Sequence, residues 1–156
     1  MKLVDYLRPE YIELGILART KEELIDRMIA LGARNPHVND KAEMKKAILD
    51  REQIMSTGIG NGCAIPHGKT NAVDDIIVAF GVTRNPVEYH SMDAEPVRLV
   101  VLIARRECDT KLHLQLLHRV AKLLHSQHLR EALTAAKSKE EVVEIIRAEE
   151  SQLVKS

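Results

Sequence analysis

The sequence predicts an α/β domain, a sheet sandwiched between helices, on three observations. Two apolar runs, Ile76–Val82 and Val97–Ala104, read as strands, and the second is almost continuously apolar, as a strand covered on both faces would be. Capping boxes at Thr20-Lys-Glu-Glu23 and Ser138-Lys-Glu-Glu141 open amphipathic helices before and after those strands. Strand and helix signals alternate along 156 residues, a length that fits one domain, without repeat, low-complexity tract or internal linker.

Taken in order, residues 12–17 read as a short strand. After Thr20, the residues Leu24, Met28 and Leu31 make one apolar helical face, and Gly32 suits the C-terminal end. A loop with Asn35-Pro36 follows, and Asn39 or Asp40 caps a second helix through about Gln53. On that helix Met44, Ala47, Ile48 and Arg51 fall at helical spacing, so Arg51 continues the buried stripe where another hydrophobe would be expected. Residues 56–62 contain three glycines and cannot hold a regular element for long. Cys63-Ala-Ile65 reads as a strand that stops at Pro66. A helix from about Thr110 to Ser126 carries Leu116, Leu117, Val120, Ala121 and Leu124, and a short helix follows near 128–136. The terminal helix opened by Ser138 carries Val142, Val143, Ile145 and Ile146, and 151–156 reads as a frayed tail beyond a domain spanning 1–150. Local signals leave the strand order open.

Composition removes several function classes. There is no tryptophan, one phenylalanine (Phe80) and three tyrosines, so the core is aliphatic. Lysine plus arginine equals aspartate plus glutamate, and no basic stripe of the kind a nucleic-acid binder carries is visible. No apolar run approaches the roughly 20 residues that span a bilayer, and charge interrupts any signal peptide at the N-terminus. Cys63 and Cys108 are too few and too far apart for a disulfide framework or a metal knuckle, and read as reduced structural thiols. Together these features indicate a cytoplasmic protein without membrane insertion. A nucleotide P-loop, a dinucleotide fingerprint, a Gly-Xaa-Ser-Xaa-Gly elbow and a His-Glu-Xaa-Xaa-His motif are all absent.

What remains is histidine in unusual places. His67 sits between Pro66, which fixes the backbone, and Gly68, which allows another molecule to approach closely. Such an imidazole is presented at a loop tip, though a loop histidine taken alone is equally an ordinary surface residue. His113 lies on the apolar stripe of its own helix and near its first turn, where the positive terminus favours a neutral imidazole and attracts anions. A core histidine satisfied by a carbonyl is the alternative. Arg51 either snorkels or finds a carboxylate, or serves as a third member of a site. A presented histidine, a stripe arginine and a helix-N-terminal histidine are together what phosphoryl transfer needs. One imidazole attacks, a guanidinium grips the equatorial oxygens, and a second imidazole adds a hydrogen bond. His118, His125 and His128 read as solvated, and His37 and His90 as loop residues.

Arg51-Glu52, Ser56-Thr-Gly-Ile-Gly60 and Ala64-Ile-Pro-His-Gly68 resemble the signature of the fructose/mannitol-type IIA component of the bacterial phosphoenolpyruvate-dependent sugar phosphotransferase system, which includes a nitrogen-regulatory IIA subgroup. Asp93-Ala-Glu-Pro-Val97 and His113-Leu-Xaa-Xaa-Leu117 extend the similarity to roughly 10–150. The resemblance implies a mixed, five-stranded sheet between helices and a phosphoryl carrier, with no metal, nucleotide or other cofactor. It implies His67 as the phosphorylated nucleophile, steadied by His113 and Arg51, with phosphate coming from the phosphocarrier protein HPr and leaving to a IIB domain for sugar uptake. It also suggests the ring nitrogen remote from the backbone as the acceptor. Ala94 departs from the glycine usual in this family, and Arg105-Arg-Glu-Cys-Asp109 replaces a small or Pro-containing stretch near the expected site. The other function the resemblance allows is a regulatory protein of the nitrogen type, whose phosphorylation state controls binding of a target protein. A fold-only relative without phosphorylation would have lost His67 or Arg51, and both are present.

Overall fold

A computed structural model describes residues 2–155. Six strands form one mixed sheet in the lateral order β1-β5-β6-β3-β2, with β4 also paired to β6. They are β1 (Ile12–Ile16), β2 (Gly58–Gly60), β3 (Cys63–Ala64), β4 (His67–Lys69), β5 (Ile77–Val87) and β6 (Val97–Arg105). The helices are α1 (Lys21–Gly32), α2 (Lys41–Ile54), α3 (Thr110–Leu124), α4 (Gln127–Ala135) and α5 (Lys139–Lys155). Six strands occupy five lanes, because β3 and β4 both run parallel to β6, one after the other, against Leu99–Val100 and Ile103–Arg105. Pro66 separates them, since proline has no N–H for the ladder; its carbonyl still accepts from Ile103 N at 3.0 Å.

The alternation of side chains along β6 builds two cores. Leu99, Val101 and Ile103 point to α3, α4 and α5, where Phe80, Leu116, Val120, Leu133 and Ile146 are buried. Val100, Leu102 and Ala104 point to α1 and α2, against Leu24, Met28, Met44 and Ile48. The unbroken apolar run is therefore a strand with a separate apolar layer on each face. Gly81 is required on the α1 side: a Cβ there would come within 2.5 Å of Ile16 Cδ1 and 2.7 Å of Met28 Sδ.

Both expected caps form, with one difference. Thr20 Oγ1 accepts from Glu23 N at 3.1 Å and Ser138 Oγ from Glu141 N at 3.1 Å. Each glutamate, however, accepts from the residue before the cap, Arg19 N and Lys137 N, at 2.8 and 2.9 Å. Asp40 rather than Asn39 caps α2, accepting from Glu43 N.

The glycine-rich stretch holds more order than expected. Asn61 (φ 57) and Gly62 (φ 77) form a two-residue hairpin between β2 and β3, the turn that an Asn-Gly pair favours. Asp93 braces it by accepting from Asn61 N at 2.9 Å. β5 continues past Val82 to Val87 through exposed Arg84, Asn85 and Pro86, whose polarity concealed the extension. At the end of the chain α5 is helical through Lys155. The completely buried Glu150 secures it by accepting from Leu3 N and Val4 N at 2.7 and 3.0 Å. Ser156 lies outside the described residues.

Candidate functional site

Beyond the C-terminal ends of β4 and β6 lies a cleft of about 710 Å³, walled by α2 on one side and the start of α3 on the other. His67, His113 and Arg51 all line it. The first two meet because His67 pairs with Ile103, which faces α3, so the imidazole emerges on the α3 side. The two rings lie 5.5 Å apart between centroids and tilt by 47°.

His67 is half-buried at the start of a strand and does not stand at a loop tip. The expected role of Gly68 also changes. Gly68 is buried, and a Cβ on it would sit 3.0 Å from the backbone C of Ala47 and N of Ile48. The close approach is thus made by α2 and not by another molecule, and it carries Arg51 to the cleft.

The ring nitrogens of His67 are not equivalent. Nδ1 lies 2.8 Å from Ile65 O, and a carbonyl can only accept, so Nδ1 carries the proton and the lone pair is on Nε2. Burial first, and then the Arg51 and Arg105 charges, hold its pKa below the ordinary histidine value, against an opposing contribution from the Ile65 bond. His113 is 4% exposed. Burial, with smaller contributions from His67 and Arg105, pushes its pKa down to about 4. Both imidazoles are therefore neutral at neutral pH. His113 is not a core histidine satisfied by a carbonyl, because its Nδ1 is buried without a hydrogen-bond partner.

Arg51 does not sit on the buried stripe. The buried line of α2 is Met44, Ile48 and Glu52, four residues apart, and Arg51 falls beside it, half-buried at the cleft wall. Its Nη1 donates to Met55 O at 2.9 Å, which caps the helix and restrains the guanidinium.

The residue that does enter the core, Glu52, was not singled out from the sequence. Its carboxylate accepts from Thr57 N (2.7 Å), Thr57 Oγ1 (2.5 Å) and Tyr89 Oη (3.2 Å), and pairs with Lys21 Nζ at 2.9 Å. This knot clamps the end of α2 next to Arg51. A signal existed: Glu52 lies four residues beyond Ile48, in line with Met44. Arg105, from the stretch that departs from the family pattern, also lines the cleft, as does Lys69.

The other histidines, His37, His90, His118, His125 and His128, are exposed and outside the cleft. Cys63 is a buried thiol whose pKa burial raises to about 11, whereas Cys108 is exposed, so only Cys63 fits a structural thiol. Among the described residues, no helix is long and apolar enough to cross a membrane.

An α/β domain that sets a neutral, tautomer-fixed histidine in a cleft with Arg51 and Arg105, alongside Glu43, Asp50 and Glu107, can present a nucleophile to an anionic group. More specifically, residues 5–149 match the phosphoenolpyruvate-dependent sugar phosphotransferase system EIIA 2 family, and the chain belongs to it. It is 39% identical over 146 residues to the PTS system fructose-specific EIIABC component of Bacillus subtilis (strain 168), covering 94% of this chain and 23% of that longer protein. In structure it resembles nitrogen regulatory protein IIA-Ntr from Neisseria meningitidis, with a TM-score of 0.87, 31% identity and coverage of 92% and 98% of the two chains. It also resembles enzyme IIAMtl from Escherichia coli, solved in complex with phosphorylated IIBMtl, with a TM-score of 0.78, 29% identity and coverage of 91% and 97%.

Proposed function

We propose that this chain is a phosphoryl carrier that takes phosphate from phospho-HPr onto His67 and passes it to a IIB component during sugar uptake. The observation that carries the reading is the Nδ1 bond to Ile65 O, which leaves the Nε2 lone pair free beside a second neutral imidazole and a guanidinium. Nε2 attacks phosphorus in line as the bond to the HPr histidine breaks. The proton stays on Nδ1, and Ile65 O compensates the positive charge that develops on the ring. Arg51 grips the equatorial oxygens with its fork, and His113 donates one further hydrogen bond. In transfer to IIB, His67 is the donor: a IIB nucleophile attacks phosphorus in line as the Nε2–P bond breaks and its electron pair returns to Nε2. The Escherichia coli relative's complex with phosphorylated IIBMtl supports this exit route.

A second reading is favoured by a separate observation, the structural likeness to IIA-Ntr over 98% of that chain. In it the same phosphohistidine controls binding of a regulatory target protein instead of feeding a permease.

One experiment tests the common core. The protein is incubated with labelled phosphoenolpyruvate, enzyme I and HPr, and one acid-labile, alkali-stable phosphate is expected. His67→Gln should lose the label and His90→Gln should keep it; label retained in His67→Gln overturns the assignment. Adding a fructose or mannitol IIB domain separates the two readings, since a transport carrier discharges to it and a regulatory protein does not.

A further inference from the structure

We propose that Arg105 is a second catalytic guanidinium, which donates hydrogen bonds to the phosphoryl oxygens on His67 from the β6 side of the cleft as Arg51 does from the α2 side. The inference rests on the phosphoryl-carrier reading and assigns that site a residue the family pattern does not supply.

Position comes first. His67 pairs with Ile103 and Lys69 with Arg105, so Arg105 lies two residues beyond Ile103. With side chains alternating along a strand, Arg105 emerges on the same face of the sheet as His67 and His113. It lines the cleft with both of them.

Its guanidinium is held and yet unspent. Nη1 donates to Arg106 O at 3.0 Å, Glu107 O at 3.2 Å and Thr110 Oγ1 at 3.2 Å, which fixes the plane of the fork at the start of α3. Among the described residues no carboxylate lies within ion-pair distance of it; the nearby Asp109 is taken by Arg106 at 2.9 Å. Nε is buried and has no hydrogen-bond partner. All three of the bonds above use Nη1, so Nη2 is the nitrogen left to meet an anion in the cleft. His113, whose Nδ1 is buried without a hydrogen-bond partner, lines the same cleft.

Charge balance agrees. A phosphoryl group on nitrogen brings close to two negative charges and three acceptor oxygens, more than one fork satisfies. Arg105 shares the cleft lining with both imidazoles, and its charge lowers the pKa of each in the direction expected of a cation on that wall. In the transfer step the His67 Nε2–P bond forms and the donor N–P bond breaks. Arg105 gains hydrogen bonds to the non-bridging oxygens and exchanges no proton.

The test is the equilibrium between phospho-HPr and this protein, read with labelled phosphoenolpyruvate, enzyme I and HPr on wild type, Arg105→Met, Arg105→Lys and Thr110→Val. Arg105→Met keeps the aliphatic stem and should shift the ratio of phosphorylated IIA to phospho-HPr about tenfold toward HPr, with part of the shift recovered in Arg105→Lys. A second measurement needs no substitution: the arginine Nε–H resonance of Arg105 in 15N-labelled wild-type protein should move when His67 is phosphorylated. A ratio within about twofold of wild type in Arg105→Met overturns the inference. So does an equal shift in Thr110→Val, which would trace the effect to loop anchorage, or an Arg105 resonance unmoved by phosphorylation. A wild-type chain that takes no label overturns the carrier reading and this inference with it, whereas a labelled wild type with unchanged variants overturns this inference alone.

Discussion

Acid should unfold this protein partly through one imidazole. His113 is buried, and its pKa falls from an ordinary 6.5 to about 4. Between those values the unfolded chain binds a proton that the folded chain refuses, so stability is complete above the unfolded pKa and is lost as pH falls toward the folded one. With these two values, lowering the pH from about 7.5 to about 4.5 removes about 2.5 kcal/mol, out of a maximum of about 3.4 kcal/mol for the full shift. For a domain of this size, with a urea slope of about 2 kcal/mol per molar, the midpoint moves down by about 1.3 M. Urea titrations of wild type and His113→Gln at both pH values give the assay. Titrating groups distant from position 113 are common to the two proteins and cancel, and carrying both titrations in a His67→Gln background removes the one histidine coupled to it. The pH-dependent loss should shrink by about 2.5 kcal/mol in His113→Gln. Equal losses in both proteins would refute the claim that the imidazole is held neutral by burial.

Phosphoryl acceptance should have its acid limb below the ordinary histidine range, because burial and the arginine charges lower the His67 pKa and attack needs the free lone pair; a rate already halved at about pH 6.5 or above would argue against this environment. Gly68→Ala places a methyl 3.0 Å from the backbone of α2. Its unfolding free energy should drop by about 1–3 kcal/mol, and labelling should slow with it as Arg51 is displaced. Glu52→Gln breaks the Lys21 ion pair and weakens the bonds to Thr57 and Tyr89. Denaturation should show a loss of about 2–3 kcal/mol, and a variant as stable as wild type would dismiss the clamp. Ala94 holds a φ of 62, in the left-handed region where a Cβ is strained. Ala94→Gly should therefore gain about 0.5–1 kcal/mol and raise the melting temperature by a few degrees.

Much of the architecture was legible in the residues because its causes are local. Strand alternation, helical stripes and the caps at Thr20 and Ser138 involve neighbours a few positions apart, and the structure carries them at the expected places. The Ala-Ile-Pro-His-Gly motif pointed to His67 by its resemblance to a family signature and not by local physics. The Asn61-Gly62 hairpin was also written locally, and its signal lay hidden in a run that looked merely glycine-rich. Other features depend on segments far apart in the chain, with at most a faint local trace such as the four-residue spacing of Met44, Ile48 and Glu52. That Glu52 and not Arg51 enters the core depends on which side of α2 meets the sheet. The purpose of Gly68 depends on how near that helix comes. The free nitrogen of His67 is the exception, set by a local turn at Pro66 that brings Ile65 O, two residues back, to Nδ1, whereas the neutral state of His113 arises from what packs over it. Helix and strand follow from short-range sterics and hydrogen bonding, so sequence alone determines them. Burial and proximity of charges belong to the assembled molecule, because desolvation and Coulomb energies depend on distance through space and not on distance along the chain.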